Sequence, residues 1–236
     1  MRETILSPMQ DCRSSRVGEF VQSLPEGARR EFESIVSLSS LTAHTRLFAE
    51  HQQPSNLHIL CDGQVKLFIR SSEGRRLILR IAEPGEILGL SSAFTGSPYQ
   101  MTAETLHTCT IATVRCPEFL EFLNRHPAAY HKVACELSLR QDQASARLRT
   151  IGLTRATSAK LARMLLEWSA NGLAEEAGAR IHLTLTHGEI AECIATSRET
   201  VTRILNDFRR HGIVQVHGET LTVIDRAALE ACSDIW

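Results

Sequence analysis

The chain has no long apolar run. Nowhere do about 18 uncharged apolar residues follow one another, so no membrane-crossing helix is expected. Met1 to Arg16 is polar and lacks the apolar centre of a secretory leader, which points to the cytoplasm. Catalytic signatures are missing as well. There is no GxxxxGK[ST], no HExxH and no GxSxG, so an enzyme is not expected. The seven cysteines, at 12, 61, 109, 116, 135, 193 and 232, are odd in number and scattered, which excludes a secreted disulfide framework. Most read as reduced packing residues, with Cys135 and Cys193 in helical cores. A global basic balance is missing too: the net charge is -1, and from Gly152 onward 9 Lys plus Arg face 11 Asp plus Glu. Affinity for nucleic acid would therefore rest on local placement of charge. What is there is 236 residues with 43% hydrophobic content, enough for two modest domains each with its own core.

The most informative stretch is Thr186 to Arg203, THGEIAECIATSRETVTR. Thr186 followed by Glu189 forms a capping box, and Ile190, Ala191, Cys193 and Ile194 supply the inward face of a short helix. After Ala195 and Thr196, Ser197 is a second N-cap. Val201, Ile204, Leu205 and Phe208 then recur at the spacing of one buried stripe. At about 100° per residue, Glu199 and Arg203 lie opposite that stripe, and Arg198 sits in the first turn. An Arg can donate a bidentate pair to guanine O6 and N7, and a Glu can accept from the cytosine amino group. Thr186 and Thr200, near helix N-termini, suit phosphate oxygens. Gly212 ends the second helix, and Ile213, Val214 and Val216 meet Leu221, Val223 and Ile224 across a two-residue turn at His217-Gly218. The pattern is a helix-turn-helix with a β-hairpin wing.

The run Ser197-Arg198-Glu199-Thr200-Val201-Thr202-Arg203 resembles the recognition helix of the family of the cyclic AMP receptor protein and the fumarate and nitrate reduction regulator (Crp/Fnr), in its cyclic AMP branch. The resemblance implies base contacts by Arg198, Glu199 and Arg203 and phosphate contacts by Thr186, Ser197 and Thr200. It also implies a half-site of the TGTGA type and contact with RNA polymerase. Ala195 stands where many such turns use Gly; a left-handed backbone there would cost about 1 kcal/mol.

From about Phe20 to Phe119 the chain carries short alternating runs, such as Val65, Leu67, Ile69 and then Leu77, Leu79, Ile81, with Gly63, Gly74 and Gly85 at steps of eleven. That is strand plus turn in a compact antiparallel roll, with a helix near Glu26 to Val36 packed on it. Cys61-Asp62-Gly63-Gln64-Val65-Lys66, Glu73-Gly74 and Pro84-Gly85-Glu86-Ile87-Leu88-Gly89 resemble the cyclic-nucleotide-binding β-roll of the same family. His126-Pro127 starts a long helix, with Pro in its first turn. In it Tyr130, Ala134, Leu137, Gln141, Ala144, Leu148 and Ile151 form a heptad seam, the mark of a parallel two-fold dimer. Two recognition helices would then read a palindrome with half-sites about 34 to 36 Å apart. Gly152 reads as a hinge, and Ala156 to Ser169 as the first helix of the DNA-binding domain. The fold class is α+β, divided into an N-terminal segment (1–19), a β-roll sensor (20–125), a dimerisation helix and hinge (126–152) and a winged helix-turn-helix (153–236).

The sensing chemistry departs from the family pattern. Its Glu for the ribose and its Arg for the cyclic phosphate are replaced by Leu90 and Met101, and a buried anion without a cation is heavily penalised, so the usual cyclic AMP mode is not expected. The candidate effector pocket is Gly89, Leu90, Ser91, Met101, Thr102 and Ser145. An iron-sulfur cluster needs four thiolates, and the N-terminal segment offers Cys12 alone. A Cys12 pair with Cys109 or Cys116 is a further redox option. Haem stays open, with no ligand nominated among ten histidines; His58 and Cys61, three apart on a strand, point to opposite faces. The overall expectation is a homodimeric DNA-binding regulator controlled by an effector where the β-roll meets the dimer helix. The alternatives are an effector-sensing module acting on another protein, and a regulator without effector.

Overall fold

A computed structural model describes residues 24–154, 156–171, 174–175, 178–182, 185–217 and 220–233. They pack as two units, residues 24–74 with 79–142, and residues 75–78 with 143–233. The N-terminal segment, residues 1–19 with Cys12, lies outside the described residues.

The first unit opens with α1 (Glu26–Ile35) and continues through β1 (Ser37–Leu41), β2 (Arg46–Phe48), β3 (Asn56–Asp62), β4 (Val65–Arg70), β5 (Arg76–Ala82, whose residues up to Ile78 group with the second unit) and β6 (Ile87–Leu88). Then follow α2 (Leu90–Thr95), β7 (Thr102–Thr105), β8 (Cys109–Arg115), α3 (Cys116–Arg125) and the start of α4 (Pro127–Leu153). The strands form two four-stranded sheets, β1-β8-β3-β6 and β2-β7-β4-β5. Gly63, Gly74 and Gly85 all have φ between +81° and +101°, the conformation a side chain disfavours, and they turn the chain between strands. At Gly63 a Cβ would also lie 2.6 Å from the Cys109 sulfur.

Two apolar clusters hold this unit. Phe48, Leu60, Val65, Leu67, Leu88 and Ile111 come from both sheets and fill the space between them. Phe32, Phe119 and Phe122 pack α1 and α3 onto the outer face of β3 and β8, joined by Ala129 and Val133 of α4. The Phe32 ring lies 5.2 Å from Phe122 and 6.3 Å from Phe119. On β5 the buried residues are Ile78 and Ala82, the latter in the cluster between the sheets. Leu77, Leu79 and Ile81, the alternating run read from the sequence, are half-buried, because β5 has apolar residues on both faces.

The second unit holds the end of α4, α5 (Thr157–Asn171), β9 (Ala174–Glu175), β10 (Gly178–His182), α6 (His187–Ile194), α7 (Arg198–Arg210), β11 (Val214–His217), β12 (Thr220–Val223) and α8 (Arg226–Ser233). Its sheet order is β11-β12-β10-β9, all antiparallel. Leu161, Met164 and Leu165 of α5, Ile190 of α6, Val201 of α7 and Leu229 of α8 are buried. The register pairs His217 with Thr220, so the two-residue connection is 218–219, one place later than His217-Gly218; both of its residues lie outside the described ones. Gly152 is also corrected. It lies inside α4, which continues to Leu153, so the chain breaks after Leu153 and not at the glycine. A single helical Gly costs about 1 kcal/mol against Ala, too little to end a 27-residue helix.

Candidate nucleic-acid interface

The capping box at the start of α6 is complete. Thr186 accepts the Glu189 N–H at 3.2 Å, and the Glu189 carboxylate accepts the Thr186 N–H at 3.0 Å. The Thr186 hydroxyl also donates to that carboxylate at 3.0 Å, so its proton is committed within the helix start. Helix α6 ends on Ala195 at φ 55°, ψ 54°, the left-handed backbone that the turn needs and a Cβ opposes. Ser197 then caps α7 by accepting the Thr200 N–H at 3.2 Å, and the two hydroxyls lie 3.1 Å apart.

Val201, Ile204, Leu205 and Phe208 bury the inner side of α7. Its outer side forms a shallow cleft of about 440 Å³ lined by Arg198, Glu199, Thr202, Arg203, Asn206, Asp207 and Arg210. The three residues expected to touch bases are thus brought together. Among the described residues, neither the Arg198 nor the Arg203 guanidinium makes an internal hydrogen bond, which leaves their donors for a ligand. Glu199 is held below the usual carboxylate range by its own backbone N–H, the Ser197 hydroxyl and the charge of Arg198, so it is an ionised acceptor near neutral pH. Thr202, Asn206 and Arg210 were not singled out from the sequence. Their signal was present, since they follow Glu199 at three, seven and eleven residues, the spacing of one helical face.

Helices α6 and α7 are also tied directly. The Thr202 hydroxyl donates to the Arg198 carbonyl at 3.0 Å, so it is an acceptor for His187 Nδ1 at 2.9 Å. The wing follows Gly212, at φ +70°, with the Ile213 N–H bonded to the Phe208 carbonyl at 2.9 Å.

On α4 the seam residues Ala134, Gln141, Ala144 and Leu148 are exposed in the single chain, Leu148 to 70%. Tyr130 is exposed as well. Leu137 packs partly on the first unit's own core, and Ile151 is half-buried. Cys135, expected in a core, is exposed on this helix with its sulfur 3.8 Å from His131 Nδ1. Cys193 is buried, and burial pushes its thiol up to about 12.

The candidate effector residues do not gather round one polar site. Gly89 has φ +91°, and a Cβ there would come within 3.1 Å of the Tyr99 ring. Leu90 is buried in the cluster with α1 and α3, whereas Met101 packs on the cluster between the sheets. The Thr102 hydroxyl accepts the Glu50 N–H at 3.1 Å. Ser91 and Ser145 are exposed, and Ser145 belongs to the second unit. The first unit's buried carboxylate is Glu86, which pairs with Arg80 and, at 3.1 Å, with Arg140 of α4. His58 is buried, its ring 6.0 Å from that of Phe48 and its Nδ1 3.2 Å from the Thr113 hydroxyl. Desolvation pulls its pKa down to about 4, so it is neutral. Cys109 and Cys116 are free thiols, which corrects their pairing with Cys12, and Cys61 is disulfide-bonded. Among the described residues no three His, Cys, Asp or Glu side chains gather as a metal site.

Both parts of the chain match known domains. Residues 159–232 match the Crp-like helix-turn-helix domain, and residues 38–126 match the cyclic nucleotide-binding domain. The chain is 30% identical over 187 residues to the transcriptional regulator LdrP of Thermus thermophilus, covering 78% of this chain and 90% of that one. It is 25% identical over 223 residues to the nitrogen fixation regulation protein FixK of Bradyrhizobium diazoefficiens, covering 94% and 92%. The structure of FixK2 from Bradyrhizobium japonicum superposes with a TM-score of 0.75 at 19% identity, over 86% of this chain and 99% of that one.

Proposed function

Because the chain belongs to the Crp/Fnr family of DNA-binding transcription regulators, we propose that it acts as a homodimer reading a palindromic promoter site in the cytoplasm. One observation carries this reading: the outer face of α7 presents Arg198, Glu199 and Arg203 together, above a fully apolar inner face. Arg198 and Arg203 donate to guanine edges and Glu199 accepts from a cytosine amino group. The hydroxyls of Ser197 and Thr200 and the N-terminal amides of α6 and α7 meet phosphates, with Thr186 contributing once its bond to Glu189 is exchanged. Dimerisation uses the exposed stripe on α4, and RNA polymerase is the second macromolecular partner.

Control comes from an effector other than cyclic AMP, acting on the first unit where α4 meets the β-roll. Leu90 and Met101 bring apolar side chains to the places where a cyclic phosphodiester needs charge. Arg140, which grips Glu86 from α4, is the element through which such an effector would be felt. Transcription regulators, not enzymes, are what this chain is similar to.

The test is selection of operators from a randomised duplex library by the wild-type protein and by Glu199→Ala. We expect a two-fold symmetric site, and loss of preference at one base pair of each half-site in the variant, worth about 1–3 kcal/mol. An unchanged selected site would remove Glu199 from base reading. An absorption spectrum of the purified protein addresses haem separately: a Soret band sends the search to the histidines, and its absence leaves an organic effector.

A further inference from the structure

The side chain of Arg147 leaves α4 in its last two turns and ends on the DNA-reading motif. Its Nη2 donates to the carbonyl of Cys193 at 2.7 Å, and Cys193 is the penultimate residue of α6. Carbonyls at that end of a helix lack an intrahelical donor and carry the negative end of the helix dipole, so a guanidinium is the fitting partner. Two residues further on, Ala195 makes the left-handed turn into α7. The bond is therefore made at the pivot of the helix-turn-helix. It is also deep: Arg147 Nε is buried, without a hydrogen-bond partner among the described residues. An arginine half committed in this way is costly for stability alone, and a lysine or an apolar side chain could fill the space.

We propose that Arg147 is a positioning residue for operator recognition: by holding the C-terminal end of α6 it locks the α6–α7 turn to the end of the long helix. A rotation of α4 is then passed to the recognition helix and is not lost in the connection between α4 and α5. Arg140 does the corresponding work seven residues earlier, within the first unit, through Glu86. Residues 141–146 between them are exposed. Arg147 touches no base itself. It acts through Cys193 and the turn, and this role rests on the reading of α7 as the operator-reading helix.

The experiment compares the full-length wild type, Arg147→Ala, Arg147→Gln, Arg147→Lys and Glu199→Ala. Fluorescence anisotropy measures binding to the operator selected by the wild type and to a duplex of scrambled sequence, at one salt concentration. The readout is the ratio of the two affinities, because partial unfolding lowers both alike and leaves the ratio unchanged. For Arg147→Ala we expect the ratio to fall at least 10-fold, with size-exclusion behaviour unaltered. Arg147→Lys, which keeps the charge and one donor, should recover most of it. If the alanine variant does not fold, the glutamine variant carries the test, with a fall in the ratio expected again. A ratio within 2-fold of wild type in either folded variant overturns the proposal. A wild type with no sequence preference sinks the operator reading and the positioning role with it. A normal wild type, an impaired Glu199→Ala and an unaffected Arg147→Ala overturn the positioning role alone.

Discussion

For single residues, environment decides more than identity. His58 is one of ten histidines and nothing in its neighbours along the chain marks it. Burial against Phe48 and Thr113 keeps it neutral, with a pKa near 4 in place of the usual value near 6.5. The unfolded chain takes up a proton below about pH 6.5 and the folded chain does not, so the folded state loses stability as pH falls from about 6.5 to about 4 and loses no more below that. The full shift corresponds to about 3 kcal/mol. Urea unfolding at a series of pH values should show this slope in the wild type, and a shallower one in His58→Gln, which retains a partner for Thr113. Equal slopes would show that the ring is solvated. Glu199 acts in the same direction at lower pH. Its carboxyl is held low, so the folded form favours the charged acceptor and loses this contribution only as pH drops below the carboxylate range.

Among the helices and strands, short-range rules carried the DNA-reading part. The capping box, the Ser197 cap and the 201, 204, 205, 208 stripe are all local, set by backbone donors and helical period, and all are present. The same holds for the three glycine turns and for Pro127 at the start of α4. Ala195 shows where an element tolerates strain. Its left-handed backbone carries a Cβ penalty of about 1–2 kcal/mol, partly offset by the lower unfolded-state entropy of Ala against Gly. Ala195→Gly should stabilise the protein by up to about 1 kcal/mol, read as a higher midpoint in chemical unfolding. A lower midpoint would mean that the alanine methyl makes packing contacts worth more than the strain.

Across the molecule as a whole, the long helix serves the chain's own packing on one face and, in the proposed homodimer, a second protomer on the other. Its inner face is taken by the chain's own packing through Ala129, Val133 and, in part, Leu137, so Ala134, Gln141, Ala144 and Leu148 stay exposed for the proposed seam. In the proposed homodimer Leu148→Glu puts two carboxylates against each other across the two-fold axis. We expect it to run as a monomer in size-exclusion chromatography and to lose operator affinity, while keeping the far-ultraviolet dichroism of the wild type. A persistent dimer would move the interface to another surface.

Features that depend on neighbours within about one turn or one strand pair were written in the order of residues: helix starts, glycine turns, the recognition face and the heptad stripe. From these the family and the α+β architecture were legible in the chain itself, as the matched domains confirm. Folding, by contrast, chose which of two apolar faces is buried more deeply, as on β5, where Ile78 and Ala82 are buried and Leu77, Leu79 and Ile81 half-buried. It left Cys135 in solvent, carried α4 through Gly152, committed the Thr186 hydroxyl to Glu189 and brought Arg147 to the Cys193 carbonyl. The physical reason is range. Backbone hydrogen bonding and helical period act over a few residues and are written locally, whereas burial, desolvation and the partner of a long cationic side chain depend on atoms that folding brings from tens of residues away.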